Sequence, residues 1–215
     1  MADTQRTYLP AAGKDWALPF YDPFVRLFGG DSAKKVLLDH AALTSGLRVL
    51  DIGCGTGTLA VLIKRLHPAV SVVGLDPDPK ALARARHKAD RERLAIQFDR
   101  GFSDQLPYAQ ASFDRVFSSF MYHHLPHDEK ENTLREVRRV LRPGGSFHLM
   151  DFAGPHEHHG LFAHLFHAGE CLQDNDASAI LDLFCQSGFT SSQKLSERRL
   201  IFGPIAYYQA SVGPA

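Results

Sequence analysis

Residues 47 to 58 read LRVLDIGCGTGT, with Asp51 preceding three alternating glycines, Gly53, Gly55 and Gly57. Without a Cβ, such a run lets backbone N–H groups come close to a ligand. A helix opening directly behind it adds unpaired N–H groups and a positive dipole end. The loop suits a small polar ligand. Asp76 stands 19 residues beyond Gly57, at the end of a second apolar run, where a carboxylate accepts hydrogen bonds from a ribose diol. Loop and acid together describe an adenosine site.

The spacing discriminates among adenosine compounds. A dinucleotide fingerprint is GxGxxG, whose third glycine admits the pyrophosphate. Here that glycine comes one residue early and Thr58 takes the later position. A carboxylate at Asp51 facing the ligand repels phosphate but pairs with an amino group. An adenosine compound with an ammonium and no phosphate is S-adenosylmethionine.

Positioning these groups is the task of residues 47 to 153, where apolar, β-branched runs alternate with segments of helical period, the mark of βαβ units and a parallel sheet. LRVLDI (47–52), VSVVGLD (70–76), LAIQFD (94–99), FDRVFSSF (113–120) and SFHLMDF (146–152) read as five strands. TGTLAVLIKRLH, PKALARARHKADRER and DEKENTLREVRRVL read as the intervening helices, with Pro143-Gly144-Gly145 ending the last of them. This predicts a doubly wound sheet covered by helices on both faces. Residues 1–45 read as an N-terminal helical cap, with Asp31 or Ser32 opening a helix through KKVLLDHAAL. Residues 154–176 read as a lid, and residues 177–215 as a last helix, capped by Asp176, and two strands so closely joined that they must be antiparallel. With no repeat or hinge-like linker, all 215 residues form a single domain.

Composition narrows the function classes. Lys plus Arg and Asp plus Glu are both 24, so there is no basic field to gather nucleic acid or anionic lipid. No apolar run approaches the roughly 20 residues needed to cross a bilayer, and MADTQRTYLP lacks a signal-peptide core, which predicts a cytoplasmic protein. Three cysteines without a CxxC spacing make neither a disulfide framework nor a zinc site.

Taken in order, VLDIGCGTG, GLDPDP, FDRGFSDQLPYAQASFDRVFSSFMYHHLP and VRRVLRPGGSF resemble the successive motifs of the class I S-adenosylmethionine-dependent methyltransferases, in particular the small-molecule branch called methyltransferase type 11 or UbiE-like. The resemblance covers residues 47–153. It implies a Rossmann-like sheet of seven strands, mostly parallel with an antiparallel last strand. It also implies that Gly53, Gly55 and Gly57 pass beneath the methionine part of the cofactor, and that Asp51 faces its ammonium through water. Asp76, followed by Pro77, would hold the ribose hydroxyls, Phe102 and Ser103 would flank the adenine, and Ser119 would lie near the methionine. One departure matters: many relatives carry an acid after the glycine of GDAxxLP, whereas this chain reads GFSDQLP. Either Phe102 stacks on the purine or Asp104 supplies the acceptor for its amino group.

Methyl transfer from a sulfonium is an in-line displacement, and alignment of that kind lowers a barrier by about 7–11 kcal/mol. A base is needed only where the acceptor must lose a proton. His123 and His124, after the fourth strand, are the base candidates; the alternative is that one ring packs beneath the cofactor and the other meets solvent. His156, His158, His159, His164 and His167 form either a nitrogen site for a metal or a solvated lid helix, and the lid is the preferred reading because no ligand spacing accompanies them. The aromatic residues Tyr8, Trp16 and Tyr21 either touch substrate or bury the underside of the cap. Cys171 and Cys185 give only thin support for arsenic methylation. The expected partner is a small-molecule methyl acceptor, with no NPPY-like motif for DNA bases. Two rivals stand beside that reading: a protein that binds S-adenosylmethionine without turnover, and a nicotinamide-dependent oxidoreductase.

Overall fold

The computed structural model describes residues 30–153, 176–201 and 203–214. A first helix, α1 (Gly30–Ala41), leads into β1 (Arg48–Ile52), α2 (Thr58–Leu66), β2 (Ser71–Asp76), α3 (Pro79–Arg91) and β3 (Gln97–Arg100). Then follow β4 (Phe113–Ser119), a short 3₁₀ turn (Tyr122–His124), α4 (His127–Val140), β5 (Leu141–Phe152), α5 (Ala177–Gln186), β6 (Ser191–Leu200) and β7 (Gly203–Ser211).

The strands form one seven-stranded sheet in the order β3-β2-β1-β4-β5-β7-β6. The pairs from β3 through β5 are parallel, and β7 runs antiparallel to both β5 and β6. Alternate side chains of each strand enter two apolar layers. Val49, Val72, Phe117, Met150 and Tyr207 meet α1, α2 and α3 on one face. Leu50, Val73, Val116, Leu149 and Tyr208 meet α4 and α5 on the other. The strand order reverses at β1, which pairs with both β2 and β4, and ligands of open α/β sheets bind at the carboxyl ends beside such a reversal.

Three local expectations are corrected. The third strand begins at Gln97, because Leu94 N–H donates to Ala89 O (2.9 Å) to close α3, while Leu94 and Ile96 pack on the core. Helix α4 ends at Val140, and Pro143 to Gly145 lie inside β5, where pairing with β4 jumps from Phe113↔Leu141 to Arg115↔Ser146. The four residues between make a bulge, with Gly144 at φ 76°. Helix α1 starts before both Asp31 and Ser32, so Asp31 stands in its first turn, where it complements the dipole. The cap residues Tyr8, Trp16 and Tyr21, the histidines His156, His158, His159, His164 and His167, and Cys171 lie outside the described residues. No helix among the described residues is long and apolar enough to cross a membrane.

Candidate functional site

A cavity of about 450 Å³ opens at the carboxyl ends of β1 to β4. The Gly53 to Thr58 loop, Asp76 and Pro77, Gly101 to Asp104, and Ser119 to Met121 with His124 supply its walls, and Lys34 of α1 and Glu129 of α4 complete them. Of the sequence-predicted binding residues, Gly53, Gly55, Asp76, Pro77, Phe102, Ser103 and Ser119 line this one space. Gly57 and Asp51 do not.

The loop is held by its own backbone. Gly53, Gly55 and Gly57 all have positive φ, at 63°, 53° and 74°. Gly53 is obligatory for packing as well as backbone angle, because a Cβ there would come within 2.2 Å of Met121 Cγ. Gly57 faces away from the cavity: its added Cβ would meet Ala85 Cβ at 2.8 Å and the Phe98 ring at 3.1 Å. Its missing Cβ therefore lets α2 seat against α3. The Gly55 N–H donates to Asp76 Oδ2 (2.8 Å), and the Asp78 N–H donates to Asp76 Oδ1 (2.9 Å). These bonds fix the carboxylate at the cavity rim. Burial pushes its carboxyl up to about 6, while the two N–H donors pull the other way.

Asp51 sits lower, on the β1 face that meets α1 and α2, with 1% of its surface exposed. Neither oxygen has a formed hydrogen bond among the described residues. Burial pushes its carboxyl up to about 7; the Lys34 charge opposes that rise, Asp76 adds to it and the Ala60 N–H opposes it. A buried carboxylate without hydrogen bonds is costly unless a partner arrives. Lys34 itself is only 6% exposed.

At the end of the cavity formed by Gly101 to Asp104, the Ser103 hydroxyl is engaged with Thr133 of α4 (2.8 Å). Phe102 and Asp104 both line the cavity. Lys88 of α3 donates to Thr58 Oγ1 (2.9 Å) and Thr56 Oγ1 (3.3 Å), tying α3 to the start of α2. Cys54 is buried and desolvation pushes its thiol far up, so it is unreactive filler.

The histidine pair divides. His123 is 2% exposed and is absent from the cavity wall. Its Nδ1 pairs with Asp151 Oδ1 at 2.6 Å and its backbone N–H donates to Oδ2 at 2.9 Å. Burial alone would raise the Asp151 carboxyl, but the His123 charge and hydrogen bonds, with a further one from Phe152 N–H, hold it below the usual range. His124 lines the cavity with its ring centroid 3.9 Å from that of His123. Burial and then the His123 charge press its imidazole down to about 3, so it is neutral at physiological pH. A neutral ring with so weak a basicity accepts hydrogen bonds but removes protons poorly. Phe152 stands edge-on to His123 (4.9 Å) and tilted against Phe120 (5.3 Å), so rings pack in series behind the wall that Phe120 and His124 give the cavity.

Phe120 carries the strain of this wall. Its φ is 55°, rare for a bulky residue, and its N–H is held by Met150 O at 3.0 Å. Lys34, Met121, Asp151 and the Lys88 clamp went unread in the sequence. Lys34 did leave a signal: it interrupts the stripe of Ala33, Leu37, Leu38 and Ala41 that α1 buries. Among the described residues no group of three His, Cys, Asp or Glu side chains is placed to hold a metal ion.

Comparison with known proteins bears on the family and the fold. A family model described as a methyltransferase domain matches residues 49–145. A demethylmenaquinone methyltransferase of Deinococcus radiodurans is 40% identical over 133 residues, 62% of this chain and 54% of the relative. An uncharacterized methyltransferase of Synechocystis sp. is 31% identical over 173 residues, 77% of each chain. The match thus spans about half the length of the Deinococcus relative and about three quarters of the cyanobacterial one. Among solved structures, phosphoethanolamine N-methyltransferase 2 of Haemonchus contortus in complex with S-adenosyl-L-methionine superposes with a TM-score of 0.75 at 16% identity, covering 95% of this chain and 58% of that one. At that identity the likeness concerns the fold.

Proposed function

We propose that this chain, which belongs to the class I S-adenosylmethionine-dependent methyltransferases, transfers a methyl group to a small-molecule acceptor by in-line displacement. The observation that carries the reading is one cavity at the sheet's reversal point, rimmed by Asp76 and underlain by Asp51 with both oxygens lacking hydrogen bonds. That arrangement suits a ligand bearing a diol and a positive charge, and it disfavours a pyrophosphate. When bound, S-adenosylmethionine supplies an electrophilic methyl group that needs no further activation by the protein.

The protein's work is then binding, orientation and exclusion of water. Asp76 accepts hydrogen bonds from a ribose through the lone pairs left after the Gly55 and Asp78 N–H groups are served. Phe102 and Asp104 address the purine. Asp51 offers its charge to an ammonium. Phe120, Met121 and His124 form the side on which an acceptor lies beside the glycine loop, and alignment there supplies the catalytic advantage. His124 orients the acceptor as a neutral hydrogen-bonding group, and His123 with Asp151 holds it in place from behind. This favours acceptors that are already nucleophilic, or that shed their proton to solvent, over those requiring a strong protein base.

The cavity-lining rings of Phe120 and His124, backed by Phe152 and His123, support an acceptor with a flat apolar face. The Deinococcus relative, named for demethylmenaquinone, makes a quinone-derived ring the first class to try. Calorimetry with S-adenosylmethionine and with NAD, followed by detection of S-adenosylhomocysteine during incubation with candidate acceptors, tests the reading. Tight binding of NAD in place of S-adenosylmethionine overturns it. Cofactor binding without S-adenosylhomocysteine from any acceptor across oxygen, nitrogen, carbon and sulfur classes favours a binding protein without turnover.

A further inference from the structure

We propose that the outer face of α3 is an electrostatic docking surface for an anionic lipid bilayer, on which the protein meets an apolar acceptor. The proposal rests on the acceptor reading above and adds a partner to it. Its starting point is a separation of charge that the balanced total conceals. Residues 79–100 carry seven Lys or Arg against three Asp or Glu, a net charge of +4, which leaves the rest of the chain at −4. A formal charge of zero for the whole chain therefore coexists with a local basic field.

Helical period sorts those charges. Ala81, Leu82, Ala85 and Ala89 make the buried side of α3. Lys80, Arg84, His87 and Arg91 recur at intervals of three and four on the opposite side, and all four are exposed. This stripe is about 17 Å long. No carboxylate interrupts it: Asp90 falls on the flank of the helix, and Glu92, just past its end, is held by Arg65 (2.6 Å). The exposed Arg93 follows. Arg86 and Lys88, at the edges, turn toward the body of the protein, donating to Phe98 O (2.7 Å) and Thr58 Oγ1 (2.9 Å).

The surroundings of the stripe select the partner. The Arg65–Glu92 pair brings the end of α2 to the end of α3, and with it Leu66, 48% exposed and one of two large apolar side chains that face solvent among the described residues. Cations with an apolar side chain beside them suit a layer of anionic headgroups over hydrocarbon. Single-stranded nucleic acid favours aromatic rings for stacking, and α3 carries none. A duplex groove favours a helix that stands clear of the body, whereas α3 is seated on the core through its alanines and Leu82. At the opposite end of the stripe, Lys80 lies three residues from Pro77 on the cavity wall, so the basic face adjoins the cavity mouth. Phe120, Met121 and Leu125 make the acceptor side apolar, which suits a compound that concentrates in a bilayer rather than in water.

Cosedimentation of the intact protein with vesicles tests this, using phosphatidylcholine alone and phosphatidylcholine mixed with an equal part of phosphatidylglycerol. Wild-type protein should partition onto the anionic vesicles and not onto the neutral ones, and about 0.5 M salt should release it. Each basic side chain near such a surface is worth about fivefold in the partition coefficient. The double variant Arg84→Glu/Arg91→Glu should therefore lose at least about tenfold. Lys35→Glu/Arg199→Glu makes the same change in net charge at exposed positions outside the stripe and should stay within about twofold of wild type. Both doubles should keep the wild-type melting temperature and the wild-type Kd for S-adenosylmethionine. Equal losses in the two doubles, or binding to neutral vesicles that salt does not reverse, overturn the assignment to α3. So does capture of an RNA or DNA duplex by a protein that ignores anionic vesicles. Absence of vesicle binding in a protein that binds S-adenosylmethionine sinks this inference alone, whereas failure to bind S-adenosylmethionine sinks the proposed function.

Discussion

Replacing Asp51 by asparagine should stabilise the ligand-free protein, although it removes a charge from the heart of the site. The folded chain holds the Asp51 carboxyl at about 7 against an ordinary 3.8. Folding therefore favours the protonated form, and the stability associated with it is complete below pH 4 and lost as the pH rises through 7. A shift of about three units corresponds to about 4 kcal/mol at pH 8. That figure is already net of the attraction from Lys34, which acts within the shift. Asparagine has the same shape and never ionises, so Asp51→Asn should raise the melting temperature at pH 8 by an amount on the order of 10 °C for a chain of this size. Near pH 4 the two proteins should melt together. Thermal denaturation followed by circular dichroism across pH 4–8 gives the difference curve, in which Asp76 enters only through its repulsion of Asp51. Saturating S-adenosylmethionine should stabilise the wild type more than the variant, because the bound ammonium relieves in one what is missing in the other. A difference curve flat across that range, or a variant less stable at pH 8, refutes the account of Asp51 as a carboxylate kept at a cost for its ligand.

Gly53→Ala meets both a φ of 63° and Met121 Cγ at 2.2 Å, and should lose about 1–3 kcal/mol in urea denaturation. Adding Met121→Ala should recover the steric part but not the backbone part. Asp151→Asn breaks the buried pair with His123 and should cost about 3–5 kcal/mol at neutral pH. Since the Asp151 carboxyl is held low, its contribution is present above about pH 4 and fades below it, so the gap between variant and wild type should shrink in acid. Phe102→Ala should raise the cofactor Kd by calorimetry; an unchanged value assigns the purine to Asp104 instead. With His124 held near 3, the pH profile of kcat between 5 and 9 should have no inflection that disappears in His124→Gln, and finding one near pH 6.5 restores His124 as a general base.

The strand–glycine–helix opening and the acid after β2 could be read from the chain because both depend on neighbours in sequence. A positive-φ run between an apolar strand and an amphipathic helix has few alternatives, and the run of βαβ units implies the sheet's reversal. The antiparallel close of the sheet followed from the short β6 to β7 connection alone. What escaped reading depends on contacts between distant segments. Gly57 carries the same letter as Gly53 and Gly55, yet it packs on Ala85 and Phe98, a fact set by how α3 crosses α2. The adjacent histidines could not be told apart until Asp151, 28 residues away in sequence, claimed one of them. Lys34 lies before the first strand, in a segment without motifs, and only the placement of α1 beside β1 brings it to the cavity wall. The bulge in β5 shows the opposite error: Pro143 to Gly145 look like a boundary locally, but the sheet pairs on both sides of them.

The fit of Met121 over Gly53 joins the loop after β1 to the loop after β4 as tooth and notch. Neither loop is a module that can be exchanged alone. A graft that brings in a foreign loop after β4 while retaining Gly53 must also bring a side chain that fills the same hollow, or the glycine loop will sag into it. Libraries aimed at new acceptors should accordingly vary positions 53 and 121 as one unit, and chimeras should take both loops from the same parent.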